Sequence, residues 1–187
     1  EKLHLDFKGP LPGGKYLLVV IDRYSRYPEV EIITSTNIIT VVRKLNKIFA
    51  SHGIPEVLIT DNGPPFNSKD FEQYMKELGV SHKFSTPYWP QGNAEVERFM
   101  RTLGKILKIA NLTRDDIQNA LSRFLFTYRN TPHCTTRVPP GELLYNRSMN
   151  GKIPSEKKEW VDRHHLARQN DEKSRNYNKS YADSRRR

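Results

Sequence analysis

Apolar and polar residues alternate at the start of the chain, where Leu3, Leu5 and Phe7 are separated by His4, Asp6 and Lys8. A period of two belongs to a strand with one buried face, so this spacing predicts a first strand. Pro10-Leu11-Pro12-Gly13-Gly14 reads as a turn. Tyr16 to Ile21 is an apolar, β-rich run, broken by Asp22-Arg23-Tyr24-Ser25-Arg26, and Val30, Ile32 and Ile33 mark a third strand. Three strands with short connections predict an antiparallel meander.

At Asn37 the period changes. Val41, Leu45, Ile48 and Phe49 recur at helical spacing until Gly53 and Pro55 end the segment. Val57 to Ile59 is short and wholly apolar, as expected of a strand covered on both faces. Asn67 or Ser68 can cap a helix striped by Phe71, Tyr74, Met75 and Leu78, with Gly79 closing it. A brief fifth strand is expected over Ser81 to Ser85. A long helix follows from about Asn93 to Ala110, burying Val96, Phe99, Met100, Leu103, Leu107 and Ala110. Another runs from Thr113 to Arg129, with Asp115 and Asp116 in its first turn, where they complement the helix dipole. From Lys152 onward the apolar periodicity fades. The expected layout is a folded core over residues 1–150 and a basic, polar extension over 151–187, helical or disordered. The order of elements predicts an α/β protein with a five-stranded mixed sheet flanked by helices. It is the order of the ribonuclease H-like fold, and it fits other α/β folds too.

Composition narrows the partners. A net charge of +10 over 187 residues points towards a polyanion, although many soluble proteins are simply basic. Cys134 is the only cysteine, which excludes an internal disulfide and any cysteine-built zinc site, and fits a reducing compartment. No apolar run approaches the roughly 18 residues of a membrane span, and no charged-then-apolar leader opens the chain. Beginning at Glu1 inside a strand pattern, it reads as a piece of a longer polypeptide.

Three acidic residues stand where a sheet-and-helix core can gather them. Asp6 is on the polar face of the first strand. Asp61 follows the buried strand and precedes the turn signal Asn62-Gly63, the end of a strand at which α/β proteins place ligands. Glu97 lies one turn into the long helix. Three carboxylates suit magnesium, which prefers oxygen ligands and is held by a few carboxylates with substrate phosphate and water. Two such ions clamp an in-line phosphoryl transfer without any covalent nucleophile. Gly-x-Ser-x-Gly, a phosphate-cradling Walker loop and a Cys/His pair at metal spacing are all missing from the sequence. Each acid also has a plainer reading. Asp6 reads as an ordinary strand residue, Asp61 as the first residue of a turn, and Glu97 as a partner for Arg101 at i,i+4.

The flanking residues separate these readings. Leu3-His4-Leu5-Asp6-Phe7-Lys8-Gly9-Pro10 resembles the opening of the integrase core of Gypsy-type long-terminal-repeat retroelements and retroviruses. Leu58-Ile59-Thr60-Asp61-Asn62-Gly63-Pro64-Pro65-Phe66 resembles the segment with that family's second aspartate, and Tyr88-Trp89-Pro90-Gln91-Gly92-Asn93-Ala94-Glu95-Val96-Glu97-Arg98 its third motif. Thirty-five residues lie between Asp61 and Glu97, the family's characteristic interval. Asn37 to Ser51 and Tyr128-Arg129-Asn130-Thr131-Pro132-His133 fit as well, so the likeness covers about residues 3 to 150. One departure is that Gly92 precedes Asn93, where the family places its glycine after the asparagine.

The resemblance implies a ribonuclease H-like fold and a DNA-cutting and DNA-joining enzyme that acts in the nucleus. It makes Asp6, Asp61 and Glu97 the catalytic carboxylates, holding two Mg2+ or Mn2+ ions. Asp22 looks like a recurrent family residue that is not a ligand. Glu95 lies about 200° around the helix from Glu97, so the two cannot share one site, and the interval selects Glu97. Arg101, Lys105 and Lys108 continue from Glu97 as a basic stripe, which suits DNA phosphate and also reads as a solvated helix face. Asn62, Tyr88, Gln91 and Asn93 are expected to contact DNA, whereas Asn62 and Asn93 also serve as turn formers and Trp89 as a packing residue. His4 and His82 are read as structural. Element ends and target DNA are the expected partners, with assembly into a homo-oligomer. Two rivals remain at this level: an inactive DNA-binding module of the same fold, and an RNA-strand nuclease, which would want a fourth carboxylate.

Overall fold

The computed structural model describes residues 1–85, 90–150 and 162–184, with the side chains of 90–95 outside that description. The first strand, β1 (Lys2–Lys8), pairs antiparallel with β2 (Tyr16–Asp22), which pairs antiparallel with β3 (Pro28–Ile33). The chain then crosses through α1 (Ile38–His52) to β4 (Val57–Thr60), which lies parallel to β1. After α2 (Lys69–Glu77) comes β5 (Ser81–Phe84), parallel to β4, so the sheet runs β3-β2-β1-β4-β5. The expected five-stranded mixed sheet is thus present.

Alternation along β1 divides the sheet into two faces. Leu3 and Leu5 join Leu18, Val20 and Leu58 in a core closed by Val41, Leu45, Ile48 and Phe49 of α1 and by Phe71 and Met75 of α2. His4, Asp6 and Lys8 lie on the opposite face. There Leu17, Val19 and Ile21, their partners across β2, are buried. Helix α3 (Pro90–Leu112) approaches this second face, where Lys8 Cε comes 3.5 Å from the place a Cβ on Gly104 would occupy. Two lysines of α1, Lys44 and Lys47, bind Glu31 of β3 at 2.8 and 2.6 Å, and His52 meets Glu29 at 2.8 Å. These contacts fasten the crossover helix to the edge of the sheet.

Helix ends explain where the elements differ from expectation. Asn37 caps α1 by accepting from the Thr40 amide, and Ser68, not Asn67, caps α2 by accepting from Phe71. Asn67 instead donates to the Asn62 carbonyl. Helix α4 (Ile117–Asn130) begins later than Thr113, because Asp116 accepts from the Asn119 amide and so stands ahead of the helix, not in its first turn. Helix α3 runs from Pro90 and continues past Ala110. It closes with Arg114 in a left-handed conformation, φ 53°, its amide bonded to Asn111 and that of Asp115 to Ala110. Helix α2 closes on the same double bond pattern, Val80 to Met75 and Gly79 to Lys76, with glycine at the left-handed position.

Two compact units are distinguished. One comprises Glu1–Tyr24 and Pro28–Ser122, and the other Ser25–Tyr27 and Arg123–Arg187. Within the second, α5 (Pro140–Tyr145) and α6 (Arg163–Ser184) share a small core of Val138, Leu143 and Ala167. Arg26 and Asp171, both largely buried, pair at 2.8 Å, and Asp171 also holds Arg175. Arg163 reaches Glu142 at 2.8 Å, and Asn170 donates to the Thr136 carbonyl. Tyr27 meets the edge of the Tyr145 ring and carries the Arg129 guanidinium over its face at 4.5 Å.

Arg114 is exposed and left-handed, a conformation in which a Cβ costs about 1–2 kcal/mol. Arg114→Gly removes that strain but frees the unfolded chain, for an expected net gain of about 0.5 kcal/mol. Urea unfolding should show a higher midpoint at unchanged slope.

Candidate active site

Register brings two of the three acids together. The parallel ladder pairs Lys2 with Val57, Leu3 with Leu58 and His4 with Ile59. Two steps further along both segments, Asp6 falls beside Asp61, one residue past the end of β4. Both belong to the face towards α3, since Leu5 and Thr60 point to the other. Asp6 is half-buried and Asp61 exposed. Burial pushes the Asp6 carboxyl above the ordinary carboxylate value, the Asp61 charge adds to the rise, and the Phe7 amide and Lys8 oppose it. The Phe7 amide donates to Asp6 Oδ1 at 2.7 Å.

Asp61 is held by its own turn. Its Oδ1 accepts from the Gly63 amide at 3.3 Å, and a Cβ on residue 63 would lie only 3.2 Å from its Oδ2. Glycine there lets the carboxylate fold back over the turn, so Gly63 has a spatial role that the Asn62-Gly63 turn signal only hinted at. Asn62 is exposed beside it, its carbonyl tied to Asn67. Below the turn, on the α2 side, the Phe66 ring stacks on Phe7 at 4.8 Å and meets Phe71 edge-on at 5.4 Å. The residue following Asp6 is therefore packed against the loop that follows Asp61.

Glu97 is exposed on α3. At about 100° per residue, Gly104, Lys108, Arg101 and Lys105 all fall within about 80° of it. The apolar residues Val96, Phe99, Leu103 and Leu107 are buried on another side, whereas Arg101, Lys105 and Lys108 are exposed. The basic stripe therefore flanks the apolar seam, along the side where Gly104 meets Lys8. Among the described residues, no three His, Cys, Asp or Glu side chains converge closely enough to hold a metal ion. Asp6 and Asp61 form a pair, and Glu97 stands apart from it. Tyr88 lies outside the described residues, as do the side chains of Gln91, Asn93 and Glu95. Lys8 was absent from the expected site, although its place two residues after Asp6 put it on the same strand face.

An acid pair at adjacent parallel strand ends, beneath a helix bearing a third acid and a basic stripe, is an arrangement of the ribonuclease H-like class. Residues 1–90 match the family described as the integrase core domain. The chain is 38% identical over 150 residues to protein K02A2.6 of Caenorhabditis elegans, covering 80% of this chain and 12% of that protein. It is also 38% identical over 146 residues to the Pol polyprotein of radiation murine leukemia virus (strain Kaplan), covering 75% and 24%. The chain thus spans 12% and 24% of the length of these two relatives. In fold it is similar to the catalytic core domain of BIV integrase, with TM-score 0.65 and 22% identity over 78% of this chain and 93% of that one. The HTLV-2 integrase catalytic core domain, in a trimeric form complexed with magnesium, gives TM-score 0.64 and 17% identity over 77% and 95%. The family match and these relatives support a place for the chain in the retroviral integrase superfamily. Among the described residues, no helix is long and apolar enough to cross a membrane.

The raised Asp6 carboxyl has a definite sign for stability. Its ionisation opposes folding, so its contribution falls as pH climbs from the ordinary value of 3.8 through the raised one, and stays lower above it. Asp6→Asn keeps the acceptor for the Phe7 amide and removes the charge. It should melt higher than the parent at neutral pH without divalent ions, and the difference should shrink as pH drops below 3.8 in parallel thermal scans.

Proposed function

We propose that this chain is the catalytic core of an integrase-type polynucleotidyl transferase, which cleaves near a 3′ end of DNA and joins that end to target DNA. The observation that carries the reading is the Asp6–Asp61 pair, set opposite each other by the parallel β1–β4 register. Two carboxylates this close, one with its carboxyl driven upward, form a concentration of negative charge and oxygen donors that a hard dication would relieve. Asp6, Asp61 and Glu97 are the residues proposed to hold two Mg2+ or Mn2+ ions. When bound, such ions polarise the scissile phosphate and stabilise the attacking and leaving oxygens. Glu97 would be drawn to the pair once those charges are compensated.

Two displacements of the same kind follow. In the first, a water oxygen bonds to phosphorus near the element's end and the bond to the released 3′ oxygen breaks, leaving a 3′-hydroxyl. In the second, that hydroxyl oxygen bonds to a target-strand phosphorus and the bridging 3′ oxygen of the target leaves. The protein supplies orientation and charge. Arg101, Lys105 and Lys108, exposed on α3, are the residues proposed to take the DNA backbone, with Lys8 joining them at the seam. Asn62 borders Asp61 and is proposed to touch the DNA end, with Tyr88, Gln91 and Asn93 on the segment before Glu97. The net charge of +10 supports the polyanionic partner. The proposed assembly is a homo-oligomer on element and target DNA in the nucleus.

The test is Mg2+- or Mn2+-dependent nicking and strand transfer on a labelled duplex, with Glu97→Gln beside the parent chain. Joined products that vanish in the variant support the reading. Salt-sensitive DNA binding without turnover in either protein would make the chain an inactive DNA-binding module instead. Arg101→Ala and Lys105→Ala should each reduce the slope of log affinity against log salt by about 1.

A further inference from the structure

His82 lies on β5, away from the acids, yet it completes a hydrogen-bonded connection to one of them. Thr60, the last residue of β4, is 2% exposed, so its hydroxyl has little access to water. Thr60 Oγ1 donates to the Asp61 carbonyl oxygen at 2.7 Å and lies 2.9 Å from His82 Nε2. A hydroxyl has one proton. With that proton given to the Asp61 carbonyl, the contact to His82 requires Nε2 to be the donor. The opposite tautomer would compete for the same proton and release the Asp61 backbone.

The imidazole is fixed by its surroundings. Its ring meets the edge of Phe71 at 5.1 Å and that of Phe84 at 4.8 Å, and Phe71 continues through Phe66 to Phe7, beside Asp6. A closed path therefore runs from one acid to the other, through aromatic packing on one side and the Thr60 hydroxyl on the other. Burial also holds the imidazole towards its neutral form, against the opposing charge of Glu72 on α2.

We infer that His82, with its proton on Nε2, is a positioning residue that sets the Asp61 backbone through Thr60 and thereby aims the Asp61 carboxylate for metal binding. The inference rests on the reading of Asp61 as a metal ligand. Groups one bond removed from a ligand commonly change metal affinity by about 10–100-fold when lost. Thr60→Val and His82→Leu remove the relay without touching a carboxylate. His82→Gln retains an N–H donor at similar reach.

Two measurements on the 187-residue chain test it. Long-range 1H–15N spectra of the unaltered protein should show the His82 proton on Nε2, and a proton on Nδ1 alone would overturn the relay. Mn2+ titration followed by electron paramagnetic resonance should give about tenfold weaker binding in Thr60→Val and His82→Leu, with His82→Gln recovering most of it. The Asp61 to Gly63 amide signals should move in the two weakened variants and return in His82→Gln. Asp61→Asn is the control. If it abolishes Mn2+ binding while the folded Thr60 and His82 variants bind as the parent does, the relay alone is wrong. If Asp61→Asn changes nothing, the metal reading falls and the relay falls with it.

Discussion

The parallel pairing of β1 with β4 is the constraint from which the site follows. Parallel neighbours cannot be joined by a tight turn, so the chain first builds β2 and β3 on one side of β1 and then leaves the sheet through α1 to return as β4. That detour separates Asp6 from Asp61 in sequence and then sets them side by side at the same end of the sheet. Had β4 run antiparallel to β1, the residue after its last strand position would emerge at the other end. The ion pairs of Glu31 and Glu29 with α1 keep the crossover against the sheet edge and so help preserve the register that aligns the acids.

Alternation then assigns work to each face. Odd positions of β1 enter the core beneath α1 and α2, while Asp6 and Lys8 carry charge on the face towards α3. The stability lost by placing Asp6 in a half-buried position beside Asp61 is offset by apolar burial on the other face, where Leu5, Leu18 and Leu58 are almost fully excluded from water. Phe7 and Phe66 connect the two roles. Their stacked rings belong to the core, yet each lies next to a functional segment, so a change in packing there would reach the acids without altering them.

Strands and the early helices were legible in the sequence because their patterns are local. Leu3, Leu5 and Phe7 announce β1, and Val41, Leu45, Ile48 and Phe49 announce α1. The β1–β2–β3 meander followed from its short connections, whereas no local pattern specifies that β4 pairs with β1, and the approach of Asp6 to Asp61 was expected only from the resemblance. Asp116 was misplaced because an aspartate serves equally in a first turn and at a cap, and only the amide it meets separates the two. The role proposed for His82 was out of reach for a related reason, since it rests on one contact to Thr60, twenty-two residues earlier, which no spacing reveals. The short α5 carries too few residues for a periodic signal.

The second unit depends on very distant parts of the chain. Arg26 and Asp171 are separated by 145 positions, and Ser25–Tyr27 belong with residues beyond 122. During synthesis, where N-terminal regions emerge and fold first, the β1–β4 register needs no residue beyond Thr60. The Arg26 side chain, by contrast, meets Asp171 only after more than a hundred further residues have been made. Loop closure over such a span is slow, so the two units should mature on the ribosome in sequence, with the acid pair assembled before the turn between β2 and β3 is finally secured.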